Sequence, residues 1–336
     1  MNTEILNGKR ILMFSNSFFN YNQIIVSQLE EMGCIVDFYN ERPNNNVITK
    51  IMLRYNIKLI RPLVKKYYGQ IINQNSSKKY DYIFVIKSET ITPDIIKKLR
   101  EAFPQAEVVL YLWDAVANIP EGKKKLPCYD RVLTFDPNDA EKFHLKLRPL
   151  FFSKEFERKQ NLKKQFKYDM AFIGTAHTIR PKIVNILTEQ CKRQNRKCYS
   201  FLFLPNKVVY YYNKLLNRDY RNVKIEDINF SPLSIDQIND VYNNTKCVLD
   251  IEHKNQNGLT MRTIELLGMQ KKIITTNSKI INYDFYNPNN IYVIDKNNPY
   301  IEEEFWNSDY QPISEEIVNR YSLKSFICDI FIAQGE

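Results

Sequence analysis

Arg262 and Glu265 stand three residues apart, with Thr260 two residues ahead of Arg262 and the short loop Asn257-Gly258-Leu259 before it. The apolar residues that follow predict a helix over 259–269. A helix N-terminus offers unpaired N–H groups, and a guanidinium beside it completes a natural site for a diphosphate. The two oxygens of Glu265 match the spacing of vicinal hydroxyls. The plain alternative is a surface arginine and a glutamate that merely favours the helix dipole.

A second set lies earlier. Phe172-Ile173-Gly174 closes an apolar run and leads into Thr175-Ala176-His177-Thr178-Ile179-Arg180-Pro181. Gly174 lets a backbone come close, Pro181 suits a first helical turn, and Arg180 and His177 stand within reach of an anion at that turn. Neither G-x-G-x-x-G nor a P-loop is present, and a glycine here could equally just close a turn. Asp114 follows the run EVVLYLW, where a desolvated carboxylate can take a proton from a hydroxyl, or else cap the next segment. Ser15, Asn16 and Ser17 follow RILMF, and Lys87 and Ser88 follow YDYIFVI, at corresponding strand ends. His253 follows KCVLDI beside Glu252; neighbours in a strand face opposite ways, so the two are not an acid–base pair. The three His are scattered, the six Cys form no C-x-x-C, and no D-x-D stands out, so neither a metal nor a cofactor is expected.

The elements that must position these groups alternate. Apolar runs at 10–14, 34–39, 80–86, 107–113 and 131–135 read as strands, with helices from Tyr21 to Met32 and from Pro93 to Phe103 between them. Asp136 caps a further helix start. The charged, aperiodic stretch from Leu147 to Lys167 reads as a link. A second series follows, with strands at 168–174, 198–204, 246–251, 272–276 and 291–294 and a helix from Pro181 to Arg193. The expectation is an α/β protein of two doubly wound Rossmann-like domains facing a central cleft, the carboxyl ends of the strands carrying the ligands. The domains are expected at 1–150 and 168–312, with a linker at 151–167 and a C-terminal helical segment, 313–336, packing back on the first domain.

Two segments resemble bacterial glycosyltransferases of the two-domain GT-B type. The first is Tyr111-Leu112-Trp113-Asp114 with Asn118 and Pro120, then Tyr129 to Asp139, then Arg148-Pro149-Leu150-Phe151-Phe152; it is similar to transferases of lipopolysaccharide-core and capsule biosynthesis. The second is Arg262-Thr263-Ile264-Glu265-Leu266-Leu267-Gly268 leading to Lys272-Ile273-Ile274-Thr275-Thr276-Asn277; it resembles the donor-site helix and strand of GT-B enzymes, including the CgeB-like group. The resemblance implies a nucleotide-sugar donor held by Gly174, Thr175, His177, Arg180, His253, Thr260, Arg262, Glu265 and Asn277. It implies a glycan or lipid-linked acceptor near Ser15, Asn16, Ser17, Lys87 and Ser88, with Asp114 as base and no metal. The family often carries a second acid seven residues before the glutamate; Gly258 stands there. That departure keeps a non-catalytic nucleotide-sugar sensor as the alternative.

The chain has 48 Lys+Arg against 38 Asp+Glu, a net charge of +10, which favours anionic partners. Nucleic acid is the weaker choice, since no RRM, zinc-finger or clear helix-turn-helix pattern occurs. Residues 47–80 hold eight cations and no acid, Lys50, Arg54 and Lys58 at helical spacing, and Pro62 is expected to break or kink that helix. Such a segment can lie on anionic lipid, or can be a solvated face over a buried one. No 18-residue apolar run and no secretory leader are read, so a cytoplasmic protein with reduced thiols is expected, in peripheral contact with the membrane through residues 47–80.

Overall fold

The computed structural model describes residues 3–16, 20–43, 61–158, 165–220, 222–252 and 257–332. Ser17, His253 and the 47–60 part of the basic segment lie outside the described residues. The chain divides into two compact units, Met1–Pro149 with Leu323–Glu336, and Leu150–Ser322.

In the first unit β1 (Arg10–Ser15), α1 (Tyr21–Glu31), β2 (Ile35–Asn40), α2 (Arg61–Gln74), β3 (Tyr82–Ile86), α3 (Pro93–Ala102), β4 (Glu107–Leu112), the single turn α4 (Gly122–Lys125), β5 (Arg131–Thr134), α5 (Pro137–Phe143) and β6 (Lys146–Leu147) follow in order. All six strands are parallel, in the spatial order β2-β1-β3-β4-β5-β6. Buried parallel strands need apolar residues on both faces, and β1, β3 and β4 are near-continuous apolar runs for that reason. Asp136 caps α5 by accepting from the N–H groups of Asn138 and Asp139 at 2.9 and 3.3 Å. Pro62 does not break α2; it stands second in it, in the first turn where no N–H is needed.

The second unit runs β7 (Tyr168–Thr175), α6 (Arg180–Arg193), β8 (Cys198–Phe203), α7 (Lys207–Leu216), β9 (Ile228–Asn229), α8 (Ile235–Asn243), β10 (Thr245–Asp250), α9 (Met261–Gly268), β11 (Lys272–Thr275), β12 (Ile291–Val293), α10 (Glu303–Asn307) and α11 (Glu315–Arg320). Its parallel sheet is ordered β12-β11-β10-β7-β8-β9. The early part of the stretch expected as a link is packed inside this unit: Leu150, Phe151, Phe152 and Phe156 are buried. Phe152 donates its N–H to Tyr321 O at 2.9 Å and lies against Gly268 so closely that a Cβ there would meet its ring at 2.5 Å.

The last helix, α12 (Leu323–Phe331), belongs to the first unit. Phe326 meets the Tyr111 ring edge-on at 4.7 Å, Phe331 packs on Tyr82 and Phe84, and Asp329 pairs with the buried Arg148 at 2.7 Å. Among the described residues no helix is long and apolar enough to cross a membrane.

Candidate functional site

Each sheet reverses its winding at one place, and in open α/β sheets ligands bind outside the carboxyl ends of the strands at such a place. In the second unit that place lies between β7 and β10, which are hydrogen-bonded neighbours although α6, β8, α7, β9 and α8 separate them in sequence. Gly174 and Thr175 end β7, Asp250 ends β10, and the first turns of α6 and α9 carry Arg180 and Arg262.

Asp250 organises this end. Its side chain is 1% exposed and accepts from Thr260 Oγ1 at 2.8 Å, from Thr263 Oγ1 at 2.5 Å and from Arg262 Nη1 at 3.3 Å. Thr260 also caps α9, accepting from Thr263 N at 3.1 Å. One carboxylate therefore holds both the start of α9 and its guanidinium. Arg262 Nε donates to the Tyr242 hydroxyl at 3.1 Å, and its guanidinium lies over the Phe172 ring, 5.5 Å from the centroid. Burial works against the charge of Arg262, but Tyr242, Asp250 and Glu265 outweigh it and raise its pKa. Glu265, itself buried, acts on that guanidinium from the next turn of α9. A Cβ on Gly174 would lie 3.1 Å from Arg262 Nη2, so the glycine leaves room for the guanidinium.

Arg180 enters from the other side. Nε donates to Ile251 O at 2.9 Å and Nη1 to Thr175 Oγ1 at 2.9 Å, with His177 Nε2 3.0 Å from Nη1. His177 Nε2 thus accepts, and the ring proton sits on Nδ1, 3.1 Å from Thr178 Oγ1, which donates its own proton to His177 O at 2.7 Å. Burial, and then the neighbouring charge of Arg262, bring Arg180 down to about 10. The buried Arg180, depressed in part by the neighbouring guanidinium of Arg262, stands where an arriving anion would be stabilised. Asn277 caps the turn after β11 and reaches Gly258 O at 3.5 Å, tying that loop to the same sheet end. Glu252 is engaged by Thr276 and Lys296. Gly174, Thr175, His177, Arg180, Thr260 and Arg262 are thus brought together, with Glu265 one turn further along α9.

In the first unit the reversal lies between β1 and β3. Asn16, just after β1, donates to Glu89 Oε2 at 2.9 Å, and Arg42 reaches the same oxygen through Nε at 3.0 Å. Lys87 and Ser88 turn the chain with positive φ of 80° and 58°, an uncommon pair for non-glycine residues. Lys87 Nζ lies 3.1 Å from Asp114 Oδ2, and Asp114 Oδ1 accepts from Ala115 N at 3.0 Å and Asn118 Nδ2 at 2.8 Å. Ser15 is buried and donates to Asn16 O at 3.2 Å; Ser88 is buried against the Tyr129 hydroxyl at 2.7 Å.

Sequence reasoning missed Asp250, Thr263 and Tyr242 in the second unit, and Glu41, Glu89 and Lys125 in the first. Glu41 is fully buried, accepts from Thr90 N at 2.5 Å, and is raised by burial. Lys125 is 1% exposed, donates to Ser88 O at 2.6 Å and is drawn down to about 8, again by burial. The signal for Asp250 was an acid closing an apolar strand ahead of a Thr-x-x-Thr helix start. Among the described residues no three His, Cys, Asp or Glu side chains gather as a metal site requires.

No protein-family model and no curated protein matches the chain. Solved structures do. A structure of Anabaena HepE in complex with UDP and glucose matches at a TM-score of 0.56 and 11% identity, over 96% of this chain and 95% of that one. An alpha-glucosyltransferase in complex with UDP and a 13-mer DNA matches at 0.55 and 12%, over 86% and 87%. Sucrose-phosphate synthase from Thermosynechococcus elongatus matches at 0.55 and 10%, over 96% and 95%. At such identities the likeness is one of fold: two parallel six-stranded Rossmann-like sheets, as in GT-B glycosyltransferases.

Proposed function

We propose that the protein is a glycosyltransferase that moves a sugar from a nucleotide-sugar donor to a glycan or lipid-linked glycan of a bacterial surface polysaccharide, such as lipopolysaccharide or capsule. The observation that carries the reading is the pair of the buried Arg180 and the half-buried Arg262 at the β7/β10 reversal, beside the N-terminus of α9. Such a place suits a diphosphate, and the similar folds include proteins solved with UDP, glucose and ADP. The surface-polysaccharide part rests on the sequence segments around Asp114 and Glu265 alone.

In this reading the guanidinium of Arg180 and the free N–H groups of α9 face the diphosphate. As the bond from the anomeric carbon to the phosphate oxygen breaks, negative charge grows on that oxygen, and these fixed donors stabilise it. His177 orients Arg180 through Nε2. Glu265 accepts from sugar or ribose hydroxyls. Thr260 shapes the site through Asp250, and Asn277 holds the Gly258 loop. In the first unit Asp114 takes the proton from the acceptor hydroxyl as its oxygen attacks the anomeric carbon, with Lys87 and Asn118 fixing the carboxylate. Asn16 and Lys87 stand at the acceptor side. The described part of α2 offers lipid little: Val64, Tyr68 and Ile71 are buried, and Lys65 pairs with Asp94 at 3.2 Å.

Thermal-shift measurements with UDP-, ADP- and GDP-sugars test the proposal. One nucleotide class is expected to raise Tm by a few degrees, since about 2.7 kcal/mol of stabilisation accrues at a hundredfold excess over Kd. The same sugar nucleotide is expected to be hydrolysed slowly, with Glu265→Ala losing both effects. No shift with any donor contradicts the reading.

A further inference from the structure

Helix α7 turns its apolar stripe to solvent. Val208 is 76% exposed, Tyr211 61%, Tyr212 63%, Leu215 83% and Leu216 63%. These are positions i, i+3, i+4, i+7 and i+8 of one helix, the spacing that ordinarily faces a core. The opposite side is already held: Tyr210 is buried and donates to Val223 O at 2.9 Å, and Lys214 Nζ donates to the same oxygen at 2.6 Å. Five large apolar side chains on one exposed strip mark an interaction surface rather than scattered surface hydrophobes.

The charge around the strip identifies the occupant. Residues 205–218 contain Lys207, Lys214 and Arg218 and no carboxylate, in a chain of net charge +10. Paired tyrosines beside valine and leucines suit the boundary between headgroups and acyl chains, where one end of a phenol stays wet. Ten residues make a helix about 15 Å long, far too short to span and well suited to lie flat. We propose that α7 is an interfacial anchor that seats the protein on an anionic lipid surface, with its apolar strip in the acyl boundary and Lys207, at the start of the helix, at the phosphates.

The anchor is joined to the candidate donor site. Asn217, just past α7, donates to Thr178 O at 3.4 Å, and Tyr220 donates to Ala176 O. Both carbonyls belong to the turn that carries His177 and leads to Arg180. The anchor itself does not depend on the transferase reading.

Flotation of the full chain with vesicles tests it, comparing phosphatidylcholine alone with phosphatidylcholine holding about a third phosphatidylglycerol. The protein is expected to float with the anionic vesicles and much less with the neutral ones. The triple variant Tyr212→Ser, Leu215→Ser, Leu216→Ser is expected to lose at least about tenfold in vesicle affinity. Its melting temperature is expected to stay unchanged, because all three side chains are exposed. Leu215→Lys alone separates the apolar from the ionic part: it adds a cation, yet is expected to bind more weakly. Absence of flotation, or flotation of the triple variant equal to the parent, overturns the proposal. So does a dimer, seen by light scattering, that the triple substitution dissociates, since the strip would then belong to a second copy.

Discussion

At the β7/β10 end two hydroxyls and the half-buried guanidinium of Arg262 converge on Asp250. Asp250→Ala takes from the half-buried Arg262 its paired carboxylate and from Thr260 and Thr263 their acceptor, and is expected to cost about 2–4 kcal/mol, read as a lower urea midpoint. Asp250→Asn keeps the shape and is expected to cost less. Lys125 gives a prediction in pH. Its folded value of about 8, set by burial ahead of the attractions of Glu41, Glu121 and Glu89, lies below its reference value of 10.5. Between those values the unfolded chain binds more protons than the folded one, so stability contributed through Lys125 rises as pH rises from about 8 to 10.5. The stability difference between the parent and Lys125→Met, followed by urea unfolding across that window, is expected to move in the parent's favour by about 3 kcal/mol or less. A flat difference contradicts the burial argument. Neither role follows from residue type alone. Asp250 is marked only by closing an apolar strand ahead of the Thr-x-x-Thr helix start, and Lys125 is one of three consecutive lysines that tertiary packing alone distinguishes.

At the scale of elements, the strands were legible because a parallel sheet covered on both faces demands unbroken apolar runs, and RILMF, YIFVI and EVVLYL supply them. Helix starts with Pro or a capping side chain, such as Pro93 and Asp136, were legible for the same local reason. The stretch 150–156 was not, since Phe151, Phe152 and Phe156 pack from extended chain and one short 3-10 turn, with no period to read. That packing is tight enough to test. A methyl on Gly268 would lie 2.7 Å from the Phe156 carbonyl as well as against the Phe152 ring. Gly268→Ala is therefore expected to destabilise by about 1–3 kcal/mol, measured by thermal or urea unfolding. Gly174→Ala presses only on the far ends of two side chains, Phe172 and Arg262, at 3.0 and 3.1 Å. It is expected to leave Tm nearly unchanged and to weaken nucleotide binding by displacing the guanidinium, which calorimetry reads directly.

For the whole molecule, the chain's return matters most: α12 completes the first unit after the second has been built. Ending the chain at Ser322 would uncover Tyr82, Phe84 and Tyr111 and leave Arg148 without Asp329. Such a truncation is expected to unfold the first unit, seen as loss of one thermal transition or as aggregation, while the second unit keeps its own core. The claim on which the account depends is that Arg180, with Arg262 and the start of α9, grips the diphosphate of a nucleotide-sugar. The most direct measurement is isothermal titration of UDP, ADP and GDP into the parent chain and into Arg180→Gln. The account predicts that one nucleotide binds the parent at one site per chain and binds Arg180→Gln about ten- to a hundredfold more weakly, with both proteins fully folded at the titration temperature by their thermal transitions. Equal affinity in the two proteins, or no binding of any nucleotide to the parent, would contradict it.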